Sequence, residues 1–327
     1  MDGTAPTRDA AATDPAGVAV LFPGQGSQVP GMADPWLEHE AGATVLEIAA
    51  DVLGRDVAAG CRDEALLATT GFVQPALLAC DVAAFRVLQA RGIAAGAAAG
   101  HSLGELAALA AAGAMDLRDA LEVVRVRGRA MQEAADRRPG AMTALIGPST
   151  EEAEELCIAA RGDGVLAVAN ENAPNQHVLS GSVDAIERAE EEARRRRARA
   201  IRLNVAGAFH SPLMQPAVDA IREVLAATEI REPAFPVVAN VTATIERDPQ
   251  TIRELLARHV VSPVRWDRST RVLAEAGFAT FVEAGPGEVL TRLARRALGG
   301  VRAVAVGSPA DVEALELSVA AGEEVRS

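Results

Sequence analysis

The sequence predicts an α/β protein: a layered domain of short strands and helices, interrupted by a smaller α+β unit. Three observations predict it. Short apolar runs that stop at Pro or Gly alternate with longer helical patterns. A G-x-S-x-G pentapeptide, Gly100-His101-Ser102-Leu103-Gly104, falls where one such run meets a strong helix former. Residues 138–207 read strand, helix, strand, strand, helix, strand.

The elements follow in chain order. Met1 to Gly17 is rich in Ala, Thr, Asp and Pro and has no apolar core segment, so it is expected to be a disordered tail and neither a signal nor a transit peptide. Val18 to Phe22 is β-like and ends at Pro23-Gly24. Helical patterning covers Trp36 to Leu53 and Pro75 to Arg91. The small-residue run Ile93 to Ala99 precedes the pentapeptide; Glu105 to Ala112 is helical and stops at Gly113. A further helix spans Leu117 to Asp136.

Within 138–207, Ala141 to Ile146 is a strand and Ser149-Thr150-Glu151-Glu152 opens a helix with a capping box. Val165 to Asn170 and His177 to Ser180 are strands, Val183 to Ala198 a charged helix, and Ala200 to Val205 a closing strand. Pro236 to Val241 and Thr280 to Ala284 resume the larger pattern. The expected division is therefore 18–137 with 208–300 as one discontinuous domain, 138–207 as an insert, and 301–327 as a C-terminal segment. On the charged helix, Glu190-Glu191-Glu192 and Arg194 to Arg197 give three i,i+4 Glu→Arg pairs, expected on a solvated, self-paired face.

Composition bounds the function. The chain has 327 residues, 49% hydrophobic and 24% charged, with net charge −13. This is a globular composition, and its acidity argues against a nucleic-acid partner. No apolar stretch is expected to reach the ~20 residues that span a bilayer, so a cytoplasmic protein is expected. All 32 basic residues are arginine, which removes a Walker A lysine and a Schiff-base lysine. Cys61, Cys80 and Cys157 are scattered and form no C-x-x-C pair, so each is expected to be a small buried hydrophobe, and no metal site is expected.

Ser102 at a strand-to-helix turn has its hydroxyl at a helix N-terminus, where N–H groups and the dipole face an incoming carbonyl. It needs a base. His210, in Gly207-Ala208-Phe209-His210-Ser211-Pro212, stands at the seam between insert and larger domain, where clefts form. His101, next to the serine, is expected to point elsewhere and to be structural. Phe22-Pro23-Gly24-Gln25-Gly26-Ser27-Gln28 is either an ordinary turn or a loop aiming N–H groups at an oxyanion. Gly285-Pro286-Gly287-Glu288 is expected to be a structural turn. Arg125, Arg127 and Arg129 lie on one helical segment, and an inward one could hold a carboxylate in bidentate fashion.

Phe22 to Gln28, Gln74-Pro75-Ala76-Leu77, Gly100 to Glu105, Arg127-Gly128 with Met131-Gln132, Ala208 to Ser211 and Glu283 to Gly287 occur in that order. Together they resemble the malonyl-CoA:acyl carrier protein transacylase family, from about Val18 to Leu298. The resemblance implies an α/β-hydrolase-like large domain with a ferredoxin-like insert. It implies Ser102 as nucleophile, His210 as its base, Gln25 and the Leu103 N–H as oxyanion hole, and Arg127 as the partner of a malonyl carboxylate. Gln74 and Asn170 match site-lining positions. Phe209 matches the malonyl-selecting form of its motif. His259 falls where the family often has glutamine, at a position that orients the catalytic histidine through its backbone carbonyl, and no third acidic residue is implied.

The implied activity is ping-pong malonyl transfer from malonyl-CoA to the phosphopantetheine thiol of an acyl carrier protein, by a free-standing, cofactor-free monomer. Fatty-acid and polyketide synthesis both fit. Three alternatives stand beside it: a hydrolase of acyl carrier proteins, a transferase for another extender unit, and a non-catalytic carrier-binding module. Arg127 argues against the hydrolase.

Overall fold

The computed structural model describes residues 17–315; the expected tail over 1–16 and the end of the C-terminal segment, 316–327, lie outside the described residues. Strand β1 (Val18–Phe22) is buried along its whole length. Its side chains alternate between two cores, with Val18, Val20 and Phe22 in one and Ala19 and Leu21 in the other. A strand covered on both faces reads as a continuous apolar run, as this one does.

Helices α1 (Glu40–Leu53), α2 (Val57–Cys61), α3 (Glu64–Leu67) and α4 (Thr70–Ala90) follow. The expected start of α4 at Pro75 is corrected: the helix begins five residues earlier after Thr69, and Pro75 lies inside it. The membrane expectation also needs correction. The 21 residues of α4 are long and apolar enough to cross a bilayer, but 89% of its most apolar window is buried inside the protein. Gln74, Cys80 and Asp81 are among the buried residues. All three cysteines are buried, as expected.

Strand β2 (Ala95–Gly100) turns through the pentapeptide into α5 (Gly104–Ala111), and α6 (Leu117–Arg137) follows. A Cβ on Gly100 would run into the backbone of Gly104, and one on Gly104 into the Phe22 carbonyl. The two glycines let strand and helix meet at van der Waals contact.

The insert forms its own sheet. Its elements are β3 (Gly140–Ile146), α7 (Thr150–Ala160), β4 (Leu166–Ala173), β5 (Gln176–Ser182), α8 (Val183–Arg195) and β6 (Arg199–Arg202). The strands are antiparallel in the order β4-β5-β3-β6. The capping box at Ser149 forms: the Ser149 N–H donates to Glu152 Oε2 (2.8 Å) and the Glu152 N–H to Ser149 Oγ (3.3 Å). β6 is shorter than expected. Leu203 makes one more ladder bond, N–H to the Met142 carbonyl (2.9 Å), and the chain then leaves the sheet so that Leu203 and Val205 border a cavity. Of the three Glu→Arg pairs expected on α8, Glu191–Arg195 and Glu192–Arg196 form. Glu190 instead pairs with Arg202 of β6 (2.7 Å), a partner nearer than Arg194 once the strand folds back.

The chain returns through α9 (Val218–Ala227), β7 (Val237–Ala239), β8 (Thr244–Glu246), α10 (Pro249–Arg258), α11 (Trp266–Glu275), β9 (Thr280–Ala284), α12 (Val289–Ala297) and β10 (Arg302–Val306). The larger sheet runs β10-β9-β1-β2-β7-β8, parallel except for the β7–β8 pair. Chain order runs outward from β1 in both directions, and in open α/β sheets ligands bind beyond the carboxyl ends of the strands at such a switch point. The Pro23 loop, the pentapeptide, Asn240 and the Gly285 turn all stand at carboxyl ends.

Candidate active site

Ser102 occupies the tip of the β2–α5 turn with φ of 54°, a left-handed conformation that costs a residue with a Cβ of order 1–3 kcal/mol. The cost is offset by a buried clamp. The Ser102 N–H donates to Asn240 Oδ1 (2.8 Å), and Asn240 Nδ2 donates to the Gly100 carbonyl (2.7 Å). Asn240 therefore fixes the turn on both sides of His101.

His210 also has a positive φ, 56°, and is 4% exposed. Its Nδ1–H donates to the carbonyls of His259 (3.1 Å) and Ser262 (3.0 Å). Two carbonyl acceptors on Nδ1 fix the tautomer and leave a lone pair on Nε2. That lone pair accepts the Ser102 Oγ–H at 2.7 Å. Burial pushes the His210 pKa down to about 3, the Arg127 charge adds to the effect, and the carbonyl partners oppose it. The imidazole is thus neutral at rest and free to take a proton.

Of Arg125, Arg127 and Arg129 on α6, Arg127 alone turns inward and is 3% exposed. Arg125 pairs with Glu122 and Arg129 lies beside Glu133. Gly128 lets α6 approach α4, since a Cβ there would press on the Thr70 carbonyl. This brings Gln74 to Arg127: Nη1 donates to Gln74 Oε1 (2.6 Å), while Nη2 donates to Ser102 Oγ (3.0 Å). Among the described residues no carboxylate lies within ion-pair distance of Arg127. Burial lowers its pKa to about 10, with Glu105 opposing, so it stays charged at neutral pH. A buried guanidinium beside the Ser102 hydroxyl suits an incoming anion.

A cavity of about 260 Å³ opens over Ser102. Ser102, Leu103, Gln25, Gln74, Asn170, Phe209 and His210 all line it, so each sequence-predicted site residue is at the cavity or, for Arg127, bonded to a residue that is. Neither Gln25 nor Leu103 engages its backbone N–H with a protein acceptor among the described residues, and both residues line the cavity. His101 also borders it, but its ring packs tilted against Trp266 (5.4 Å between centroids, planes at 60°) and Nε2 donates to Asn172 Oδ1 (2.9 Å). The described residues contain no cluster of three or more His, Cys, Asp or Glu with metal-holding geometry.

Sequence reasoning missed Asn240, Glu105 and Asn172 as parts of the site. Asn240 had one usable signal, a polar residue ending an apolar strand at the carboxyl edge of the sheet. Glu105 was absorbed into a helix-forming run, although a charged side chain there is 3% exposed.

Comparison with known proteins accords with this geometry. A family model described as an acyl transferase domain matches residues 20–314. A malonyl CoA-acyl carrier protein transacylase of Bacillus subtilis (strain 168) is 39% identical over 303 residues, 90% of this chain and 95% of that protein. The protein of the same name from Escherichia coli (strain K12) is 39% identical over 307 residues, 91% of this chain and 99% of its own. Among solved structures, the transacylase from Coxiella burnetii matches with a TM-score of 0.89 at 36% identity, covering 92% of this chain and 97% of that one. A malonyl-transacylase solved in complex with its type II PKS acyl carrier protein matches with a TM-score of 0.87 at 39% identity, covering 90% and 97%. The chain belongs to the acyl transferase domain family.

Proposed function

We propose that this protein transfers a malonyl group from malonyl-CoA to the phosphopantetheine thiol of an acyl carrier protein through a malonyl-serine intermediate. The observation that carries the proposal is one hydroxyl held by two groups: Ser102 Oγ lies 2.7 Å from a neutral imidazole nitrogen and 3.0 Å from a buried guanidinium. The first group can activate it, and the second can read a substrate carboxylate.

The steps balance without a further reactant. His210 Nε2 takes the Ser102 proton as Oγ bonds the thioester carbon. The oxyanion is held by the N–H groups of Gln25 and Leu103; loss of one such donor typically costs about 3 kcal/mol. The C–S bond breaks and the thiolate of CoA leaves with the proton from His210. A carrier thiol then gives its proton to His210 and its sulfur bonds the ester carbon; the C–Oγ bond breaks, His210 returns the proton to Ser102 Oγ, and the malonyl group leaves as a thioester of the carrier. Arg127 favours malonyl over acetyl, and Phe209 narrows the room for an α-methyl group. A carboxylate on Arg127 also offsets the charge that weakens His210, so the right substrate strengthens the base that activates Ser102.

We read 18–137 with 208–300, together with strand β10 from the expected C-terminal segment, as an α/β-hydrolase-like catalytic domain and the four-stranded unit as a ferredoxin-like insert, on the basis of their strand orders. A cofactor-free, cytoplasmic monomer serving fatty-acid or polyketide synthesis accompanies this proposal.

The test is an intact mass after incubation with malonyl-CoA. A malonyl adduct is expected, absent in Ser102→Ala and discharged by a carrier protein bearing its thiol arm. CoA release without an adduct and without need of a carrier thiol would make the protein a hydrolase.

A further inference from the structure

Behind the reacting pair lies a buried ring of contacts that the mechanism above does not use. Glu105, the first acidic residue of α5, is 3% exposed. Its Oε2 accepts the Asn240 N–H at 2.9 Å and stands 3.9 Å from His259 Nε2. Asn240 in turn holds the Ser102 N–H, and His259 supplies a carbonyl to His210 Nδ1. The ring thus closes from Ser102 through Asn240, Glu105, His259 and His210 back to Ser102 Oγ. We propose that Glu105 is a positioning residue whose carboxylate, acting through Asn240 and His259, fixes the Ser102 turn and supplies the negative charge that offsets the imidazolium formed on His210. The proposal rests on the malonyl-transfer function above.

The reason is electrostatic. Arg127 is already a fixed cation at Ser102 Oγ. When Ser102 gives up its proton, a second cation forms on His210, which like Arg127 is almost fully buried. Two buried positive charges disfavour each other strongly. Among the described residues Glu105 is the one carboxylate within ion-pair range of any group in the ring. Only its anionic form can serve. Burial pushes its pKa up to about 7, opposed by the Asn240 N–H and the Arg127 charge and reinforced by Glu246 of β8. His259 is itself held neutral by burial and by the neighbouring His210, Arg127 and His101. The groups facing Glu105 are therefore Arg127 from α6, His259 from the segment after α10, and Glu246.

The sign follows. The anion grows in as pH rises through Glu105's titration, so acylation should rise across the same interval. The base limb of His210 lies far lower and cannot produce this rise. Glu105→Gln keeps the shape and an acceptor for the Asn240 N–H but removes the charge.

The experiment follows malonyl-serine formation by rapid quench and intact mass from about pH 5 to about pH 9. Wild-type enzyme is expected to lose acylation rate below about pH 7, the titration of Glu105. Glu105→Gln is expected to be about tenfold slower at pH 8, as outer partners of reacting groups typically contribute, and to lose the limb near neutrality. Glu105→Asp should restore the limb. A Gln variant with the wild-type limb or wild-type rate overturns the proposal. His259→Gln is the second variant; it keeps the backbone carbonyl for His210 and offers Glu105 an amide donor. It should move the limb to lower pH, and an unmoved limb also overturns the proposal. A wild-type enzyme that forms no adduct at any pH refutes the malonyl-transfer function instead, so the two failures are distinct.

Discussion

The six-stranded and four-stranded sheets both border the cavity, yet they bring different chemistry to it. The larger sheet contributes Gln25 after β1, Ser102 and Leu103 after β2, Asn240 after β7, and a wall of Val289, Leu290 and Leu293 from α12. Both left-handed non-glycine residues of the site, Ser102 and His210, are held by buried groups outside the insert. The smaller sheet contributes Met142, Ala144 and Val178 with the amides Asn170, Asn172 and Gln176. It brings no titratable group to the reacting atoms. Its contact with the turn runs through Asn172 and His101, and β4 docks on the larger unit by bonds between Ala169, Glu171 and Val264. The Ser102 turn sits at the end of a parallel sheet that over-determines its backbone, while the second sheet lines part of the cavity over it.

The largest expected effect breaks the reactive side at its backbone. Gly100→Ala would put a methyl into the Gly104 carbonyl, in a turn where strand, helix and Phe22 are already in contact. No side chain can move aside. A loss of about 3 kcal/mol or more is expected, with loss of the malonyl adduct, measured by urea melts and intact mass. A variant that melts and acylates like wild type would show that the close approach is not needed.

Next is Arg127→Ala. Malonyl acylation should fall about a hundredfold or more, as for removal of a donor at the reacting centre. Acetyl-CoA should improve relative to malonyl-CoA. Removing the guanidinium also removes one of the influences that weaken His210. The measurement is kcat/KM for both thioesters. An unchanged preference for malonyl would remove Arg127 from substrate recognition.

The same division between the two sheets governs what could be read in the sequence. Ser102 was legible because its signal is local: five residues specify strand, tight turn and helix. The insert was legible because β-α-β-β-α-β order is carried by its own capping box and periodicities. By spacing alone Arg127 was one of three arginines; the family resemblance singled it out, and the packing of α4 on α6 supplies the physical reason it turns inward. The clamp was not legible. Asn240 is 138 residues from Ser102, and neither sequence neighbourhood marks the other. Glu105 looked like an ordinary first-turn acid because burial of a helix N-terminus is a tertiary property. The same cause moved Glu190 from Arg194 to Arg202 and ended β6 at Arg202: partners supplied by folding displaced those supplied by spacing.

The smallest expected effect lies on the other side of the comparison. Asn172→Ala removes the side chain that ties the insert to His101 and leaves His101 Nε2 without its acceptor. One hydrogen bond at a half-buried site is worth about 1 kcal/mol, so a small loss of stability is expected. Burial already holds the His101 ring in its neutral form, so losing Asn172, whose bond favours the charged form, leaves it neutral and creates no buried charge. Ser102, His210 and Arg127 keep every bond they have. KM for malonyl-CoA should rise by about a fewfold as the wall loosens, while kcat stays within about twofold, the pattern of lost uniform binding. Steady-state kinetics separate the two terms. A fall in kcat as large as that of Arg127→Ala would mean that the smaller sheet does position the reacting atoms, and the division of labour between the sheets would fail.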